Sequence, residues 1–150
     1  MEGIDCIFFS EFHPITGPKI TYQDPADYIS KETFDVISVY IIAKPQLDQR
    51  LIRLNLDEVA IMSLPCCIQN KKYSRNELRF NLGLMLPAKH HGGLDNYEPV
   101  IKKLANYMVT LELESQFLSD EVKKEKLSEL LPRIRQELNM KGSCMIRIGK

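Results

Sequence analysis

Residues 51–86, LIRLNLDEVAIMSLPCCIQNKKYSRNELRFNLGLML, decide the fold. In the first of their three apolar segments Ile52, Leu54 and Leu56 alternate with Leu51, Arg53 and Asn55, so only one set is consistently apolar. That two-residue period predicts a half-exposed strand. Val59–Ile68 and Leu78–Leu86 are almost continuously apolar, which predicts strands lying deeper in a sheet. Pro65 is awkward inside a central strand because proline donates no ladder hydrogen bond. A break, a bulge or an edge is expected there.

Working outward, Ile4–Phe12 is apolar on both faces around Ile7, Phe8 and Phe9 and reads as a buried central strand. His13–Pro18 carries two prolines and a glycine, which is turn chemistry. Lys19–Gln23 then alternates and pairs with the first strand as a hairpin. Ser30 is placed to cap a helix over Lys31–Ala43, with Ile29 and Phe34 as a hydrophobic staple and Phe34, Ile37 and Ile41 as its buried stripe. The residue before proline is pushed out of the α region, so Lys44-Pro45 ends that helix.

From Asn96 onward the period is helical. Asn96 is a candidate cap, Pro99 falls in the first turn, and Tyr97, Ile101, Leu104, Met108, Leu111 and Leu118 share one face. Another helix opens at Ser119, with Asp120 and Glu121 at the positive end of its dipole. Its expected stripe is Val122, Leu127, Leu130, Leu131, Ile134 and Leu138, with a kink at Pro132. Asn139–Gly142 stops it, and Ser143–Ile148 begins a further extended segment. The order is ββ-α-βββ-α-α: an α+β fold with a five-stranded antiparallel sheet and helices packed on it. Residues 1–142 are expected to form that domain, and 143–150 to start a strand or linker toward segments of a longer protein.

The chain has 150 residues, ordinary for a single domain. Twenty Lys and Arg balance twenty Asp and Glu, giving net charge zero. Nucleic-acid binders rest their affinity on neutralising phosphates, so this balance argues against that class. No apolar run reaches the roughly 18–20 residues that span a bilayer, and no secretory leader pattern opens the chain. Cys6, Cys66, Cys67 and Cys144 sit in apolar runs with neither disulfide nor zinc spacing. They read as small buried hydrophobes kept reduced in the cytosol.

Few residues offer chemistry. Gly92-Gly93 matches no phosphate-binding fingerprint, and His90-His91 lacks further metal ligands at useful spacing, so a surface loop is the plainer reading. His13 reads as a turn histidine satisfied by backbone. Glu112 and Glu114 fall on different sides of a helix, which excludes paired acid–base carboxylates, and Lys123–Lys126 reads as a solvated helix face. What remains is the connection from Gln69 to Asn76, which must lie at an end of the sheet. It presents Lys71, Lys72 and Arg75 with Tyr73 and Ser74. Composition alone makes it a solvated hairpin tip. The functional alternative is that Arg75 is offered to an anionic partner, because a planar guanidinium donates to phosphate oxygens in a fixed fork.

Five stretches then carry a resemblance: Ile7-Phe8-Phe9-Ser10-Glu11-Phe12-His13-Pro14, Gly17-Pro18-Lys19-Ile20-Thr21-Tyr22-Gln23, Lys71-Lys72-Tyr73-Ser74-Arg75-Asn76, Phe80-Asn81-Leu82-Gly83, and Leu111-Glu112-Leu113-Glu114-Ser115. Together they resemble the N-terminal region of the nitrogen permease regulator 2-like proteins across nearly the whole chain, while the connection Pro87–Asn96 is unfamiliar. The resemblance implies a longin-type fold with further C-terminal domains. It implies a place in the GATOR GTPase-activating complex, beside a nitrogen permease regulator 3-like protein paired through longin domains and a larger third subunit. The implied substrates are Rag GTPases at the lysosomal or vacuolar surface, reached from the cytoplasm, with restraint of the target-of-rapamycin kinase as the outcome. It also implies that Arg75 is an arginine finger, catalytic only in trans and without a cofactor. Lys71, Lys72, Tyr73 and Asn76 are then partner-binding residues, the lysines steering an acidic GTPase surface and Tyr73 and Asn76 shaping the loop. The competing expectation is a non-catalytic longin heterodimerisation or trafficking module.

Overall fold

The computed structural model describes residues 3–41, 45–56, 59–87 and 94–141. The expected end of the first helix at Ala43, the His90-His91-Gly92-Gly93 connection, Cys144 and the extended segment from Ser143 lie outside these residues. Among the described residues the order is β1 (Cys6–His13), β2 (Gly17–Asp24), α1 (Lys31–Ile41), β3 (Ile52–Leu56), β4 (Val59–Gln69), β5 (Glu77–Pro87), α2 (Leu94–Ser115), α3 (Glu121–Lys124) and α4 (Leu127–Lys141). The five strands form one antiparallel sheet in the order β2-β1-β5-β4-β3. This is the expected α+β, longin-like arrangement.

Alternation along the strands assigns side chains to the two faces. Ile7 and Phe9 of β1, Met62 and Leu64 of β4, and Phe80, Leu82 and Leu84 of β5 form one buried core with Ile101, Leu104, Met108, Leu127, Leu131 and Leu138 of α2 and α4. On the opposite face Cys6, Phe8, Ile61 and Met85 pack against Ile29, Phe34, Ile37 and Ile41. Ser30 caps α1, its Oγ accepting from the Thr33 amide at 3.1 Å. Ile29 and Phe34 are both buried in the staple arrangement the sequence suggests. β3 lies at the sheet edge with its alternating half-buried and exposed pattern.

β4 runs unbroken through Pro65, and of the expected alternatives the edge is the one found. β3 pairs with β4 only from Val59 to Ser63, so at Pro65 the strand is already an edge on that side. In an antiparallel ladder a residue's N–H and C=O point to the same neighbour. The Pro65 carbonyl accepts from the Gln49 amide at 2.8 Å on the β3 side, so the missing N–H costs no bond to β5.

Two helix boundaries depart from expectation. α2 starts at Leu94, which places Asn96 inside the helix rather than at its cap and Pro99 at the sixth position. The last helix divides at Glu125-Lys126, well before Pro132, leaving α3 as a single turn. Asp120 caps that turn, accepting from the Val122 and Lys123 amides. The cause is a change of buried face. Val122 is 78% exposed, whereas Lys124 turns inward to Glu11 of β1 at 2.9 Å. Among the described residues no helix is long and apolar enough to cross a membrane.

Candidate functional site

The β4–β5 connection is fastened to itself. Asn70 accepts the Lys72 amide on Oδ1 at 3.1 Å and the Tyr73 amide on its carbonyl at 3.2 Å. The Tyr73 carbonyl accepts the Asn76 amide at 2.8 Å, and the Asn70 amide donates to the Asn76 carbonyl at 2.9 Å. Between these closures Arg75 and Asn76 take consecutive left-handed conformations, with φ of 56° and 63°. Side chains with a Cβ pay for that region, of order 1–3 kcal/mol per residue, and hold it only where surrounding contacts over-determine it.

The side chain that over-determines it is Tyr73. It is buried, and its hydroxyl donates to Oε2 of Glu112 at 2.6 Å. Glu112, near the C-terminal end of α2, is wholly buried. Its Oε1 accepts from the Leu118 and Ser119 amides, both at 2.8 Å, and its Oε2 also accepts from the Ser119 hydroxyl at 2.8 Å. Burial pushes the Glu112 carboxyl up, but the donors from Tyr73, Ser119 and Leu118 outweigh it and hold the group below its ordinary range. Burial and the same hydrogen bond push the Tyr73 phenol up, so it stays protonated as a donor.

Arg75, Lys71, Lys72 and Asn76 are exposed. Among the described residues no carboxylate or hydrogen bond engages the Arg75 guanidinium. The Lys72 ammonium lies 5.3 Å from the centroid of the Tyr73 ring, at cation–π range. Four of the five residues singled out in this loop therefore face solvent together. The exception is Tyr73, whose ring points inward and whose hydroxyl is taken by Glu112. Direct partner contact through its phenol is closed in this conformation, and shaping the loop is what the geometry leaves it.

Beside the loop, Phe12, Pro14, Arg75, Glu77 and Arg79 line a cavity of about 90 Å3. Arg79 is committed there, pairing with Glu77 and lying 5.6 Å over the Phe12 ring. Arg75 is the guanidinium left available. Nearby, His13 Nδ1 accepts from the Ile15 and Thr16 amides, as a turn histidine should. Burial pushes the thiols of Cys6 and Cys66 up to about 12 and that of Cys67 to about 11, so none is a nucleophile at neutral pH.

Glu112 escapes a reading of residue types alone, since an isolated glutamate on an amphipathic helix looks like any other. Its one signal is its place in Leu111-Glu112-Leu113-Glu114-Ser115, which carries part of the family resemblance.

The sequence pattern of the family described as Nitrogen permease regulator 2 matches residues 2–150. The chain is 42% identical over 150 residues to the GATOR complex protein NPRL2 of Drosophila melanogaster, covering 99% of this chain and 36% of the relative. It is 27% identical over 150 residues to the Nitrogen permease regulator 2 homolog of Schizosaccharomyces pombe, covering 95% and 36%. Against Nitrogen permease regulator 2 of Saccharomyces cerevisiae it is 34% identical over 118 residues, covering 77% and 19%. The chain thus spans little more than a third of the length of the first two of these curated relatives. The match runs through the sheet, the Arg75 loop and the helix that anchors it, and the chain belongs to the nitrogen permease regulator 2 family.

Proposed function

We propose that this chain is the longin-type part of a GATOR-complex subunit that stimulates GTP hydrolysis by Rag GTPases, with Arg75 as an arginine finger supplied in trans. The observation that carries the reading is an exposed guanidinium, unpaired among the described residues, in a loop held in a strained left-handed conformation. As the γ-phosphoryl group is transferred, charge spreads over its oxygens, and a guanidinium donating to two of them stabilises that distribution more than the ground state. An arginine in trans raises hydrolysis by about 10³–10⁵, roughly 4–7 kcal/mol of differential stabilisation. Lys71 and Lys72, exposed on the same loop, steer an acidic GTPase surface toward it. Asn76 sustains the left-handed turn, a conformation asparagine tolerates well.

By itself the chain is not an enzyme: it contributes one group to a reaction whose nucleotide, metal and water belong to the GTPase. In this reading it works from the cytoplasm at the lysosomal or vacuolar surface and restrains target-of-rapamycin signalling when amino acids are scarce. A nitrogen permease regulator 3-like protein pairs with it through longin domains, alongside a third, larger subunit. The test is hydrolysis by the GTP-loaded Rag heterodimer with wild-type, Arg75→Ala and Arg75→Lys complexes. Lysine keeps the charge but loses the fork, and is expected to fail with alanine.

A second reading, a non-catalytic pairing module, draws on a different surface. Val36, Val39 and Tyr40 are 53%, 67% and 54% exposed on the outer side of α1, while β3 is an open sheet edge. Strong pairing with the partner's longin domain, together with full stimulation by an Arg75→Ala complex, would favour this reading over catalysis.

A further inference from the structure

The backbone closures between Asn70 and Asn76 fix the shape of the Arg75 loop, but not its bearing on the rest of the domain. Among the described residues, one loop side chain reaches from it to a helix. Tyr73 crosses from the loop to α2 and places its hydroxyl on a carboxylate that is already immobilised by two amides and the Ser119 hydroxyl. A carboxylate has about four acceptor sites, and a buried one is costly unless they are filled. Without the phenol, Oε2 of Glu112 keeps only Ser119. The closed loop is therefore the state in which the buried charge is satisfied, and Arg75 stands two residues from the group that satisfies it.

We infer that the Tyr73–Glu112 hydrogen bond is the positioning device of the arginine finger, acting on GTP hydrolysis through Arg75 without touching the nucleotide. The inference rests on the arginine-finger reading above. A group that stabilises a transition state contributes fully only when it is held in place beforehand, and small displacements are expensive. Tyr73 and Glu112 are thus positioning residues, and their effect must appear in the maximal rate and depend on Arg75.

The experiment uses the full-length protein in its complex and single-turnover hydrolysis by the GTP-loaded Rag heterodimer. Tyr73→Phe keeps the buried ring and deletes the hydroxyl. The maximal stimulated rate is expected to fall about tenfold, while the complex concentration giving half-maximal stimulation moves by less than about twofold. In an Arg75→Ala background Tyr73→Phe is expected to change nothing further, because the two act as a unit. Amide exchange across residues 70–76 of the full chain is expected to quicken in Tyr73→Phe. Asn139→Ala, which weakens the tie between α4 and Ile4 far from the loop, is expected to leave the maximal rate at wild type. A wild-type rate or unchanged exchange in Tyr73→Phe overturns the inference while leaving an inactive Arg75→Ala, and so the finger, intact. An equal loss in Asn139→Ala also overturns it, by showing that the rate follows general stability. Full stimulation by Arg75→Ala removes the finger reading itself and this inference with it.

Discussion

The ring of Phe8 lies across Gly83 on the neighbouring strand, so close that a Cβ at position 83 would fall 2.7 Å from Cε2 of that ring and nearer still to Cζ. This contact gives the Phe80-Asn81-Leu82-Gly83 stretch a physical meaning. Phe80 and Leu82 fill the core under α2 and α4, while Gly83 leaves room on the other face for Phe8, which also meets Phe34 of α1 edge to face. Gly83→Ala is expected to destabilise the domain by about 1–3 kcal/mol through overpacking. Equilibrium urea unfolding measures it, and a stability equal to wild type would mean that the ring has room to retreat.

The Glu11–Lys124 pair makes a separate prediction. Both side chains are largely buried, and Glu11 also accepts from the Thr21 hydroxyl at 2.6 Å. Lys124→Met leaves an uncompensated carboxylate beneath α3 and is expected to cost about 3–5 kcal/mol. Adding Glu11→Leu should recover much of that loss, since replacing a buried pair with apolar groups is often close to neutral. A double variant no better than Lys124→Met would contradict this account.

Glu112 predicts a dependence on pH. Its folded carboxyl is held below the ordinary range, so the stability it adds is complete above that range and lost as the pH falls through the folded value. Glu112→Gln is expected to cost about 1–3 kcal/mol at neutral pH. The gap between the variant and wild type should narrow below about pH 4, where the unfolded carboxylate takes up its proton. Unfolding curves at several pH values decide it, and a gap constant down to acid would show that the charge of Glu112 is not what its donors stabilise.

The outer side of α1 carries the pairing prediction. Val39→Asp places a charge on an exposed apolar patch at little cost to the fold; if the proposed longin pairing uses this surface, it is expected to weaken co-purification with a nitrogen permease regulator 3-like protein by tenfold or more, about 1.4 kcal/mol. Undiminished pairing would move the interface elsewhere, the β3 edge being the next surface to probe.

Much of this architecture was legible before the structure because local patterns carry it. The alternation of Ile52, Leu54 and Leu56 marks a half-exposed strand, the Ser30 cap and its staple mark α1, and the continuous apolar runs place the Arg75 loop at an end of the sheet. What stayed hidden depends on partners far apart in sequence. Pro65 is accommodated because β3 stops short of it, and α3 parts from α4 because Lys124 reaches a glutamate 113 residues away. The resemblance makes Tyr73 a partner-binding residue that shapes the loop, but the group through which it does so, Glu112, lies 39 residues on. The strain at Arg75 was equally invisible, since nothing in the letters Ser-Arg-Asn requires two successive left-handed residues.

Whether Arg75 acts as the proposed finger is decided by single-turnover GTP hydrolysis by the Rag heterodimer with wild-type and Arg75→Ala complexes. With Arg75 as the finger, the alanine complex is expected to assemble and bind the GTPase normally while losing about 10³-fold or more of the stimulated rate. A stimulated rate close to wild type, from a complex of the same composition, would contradict it.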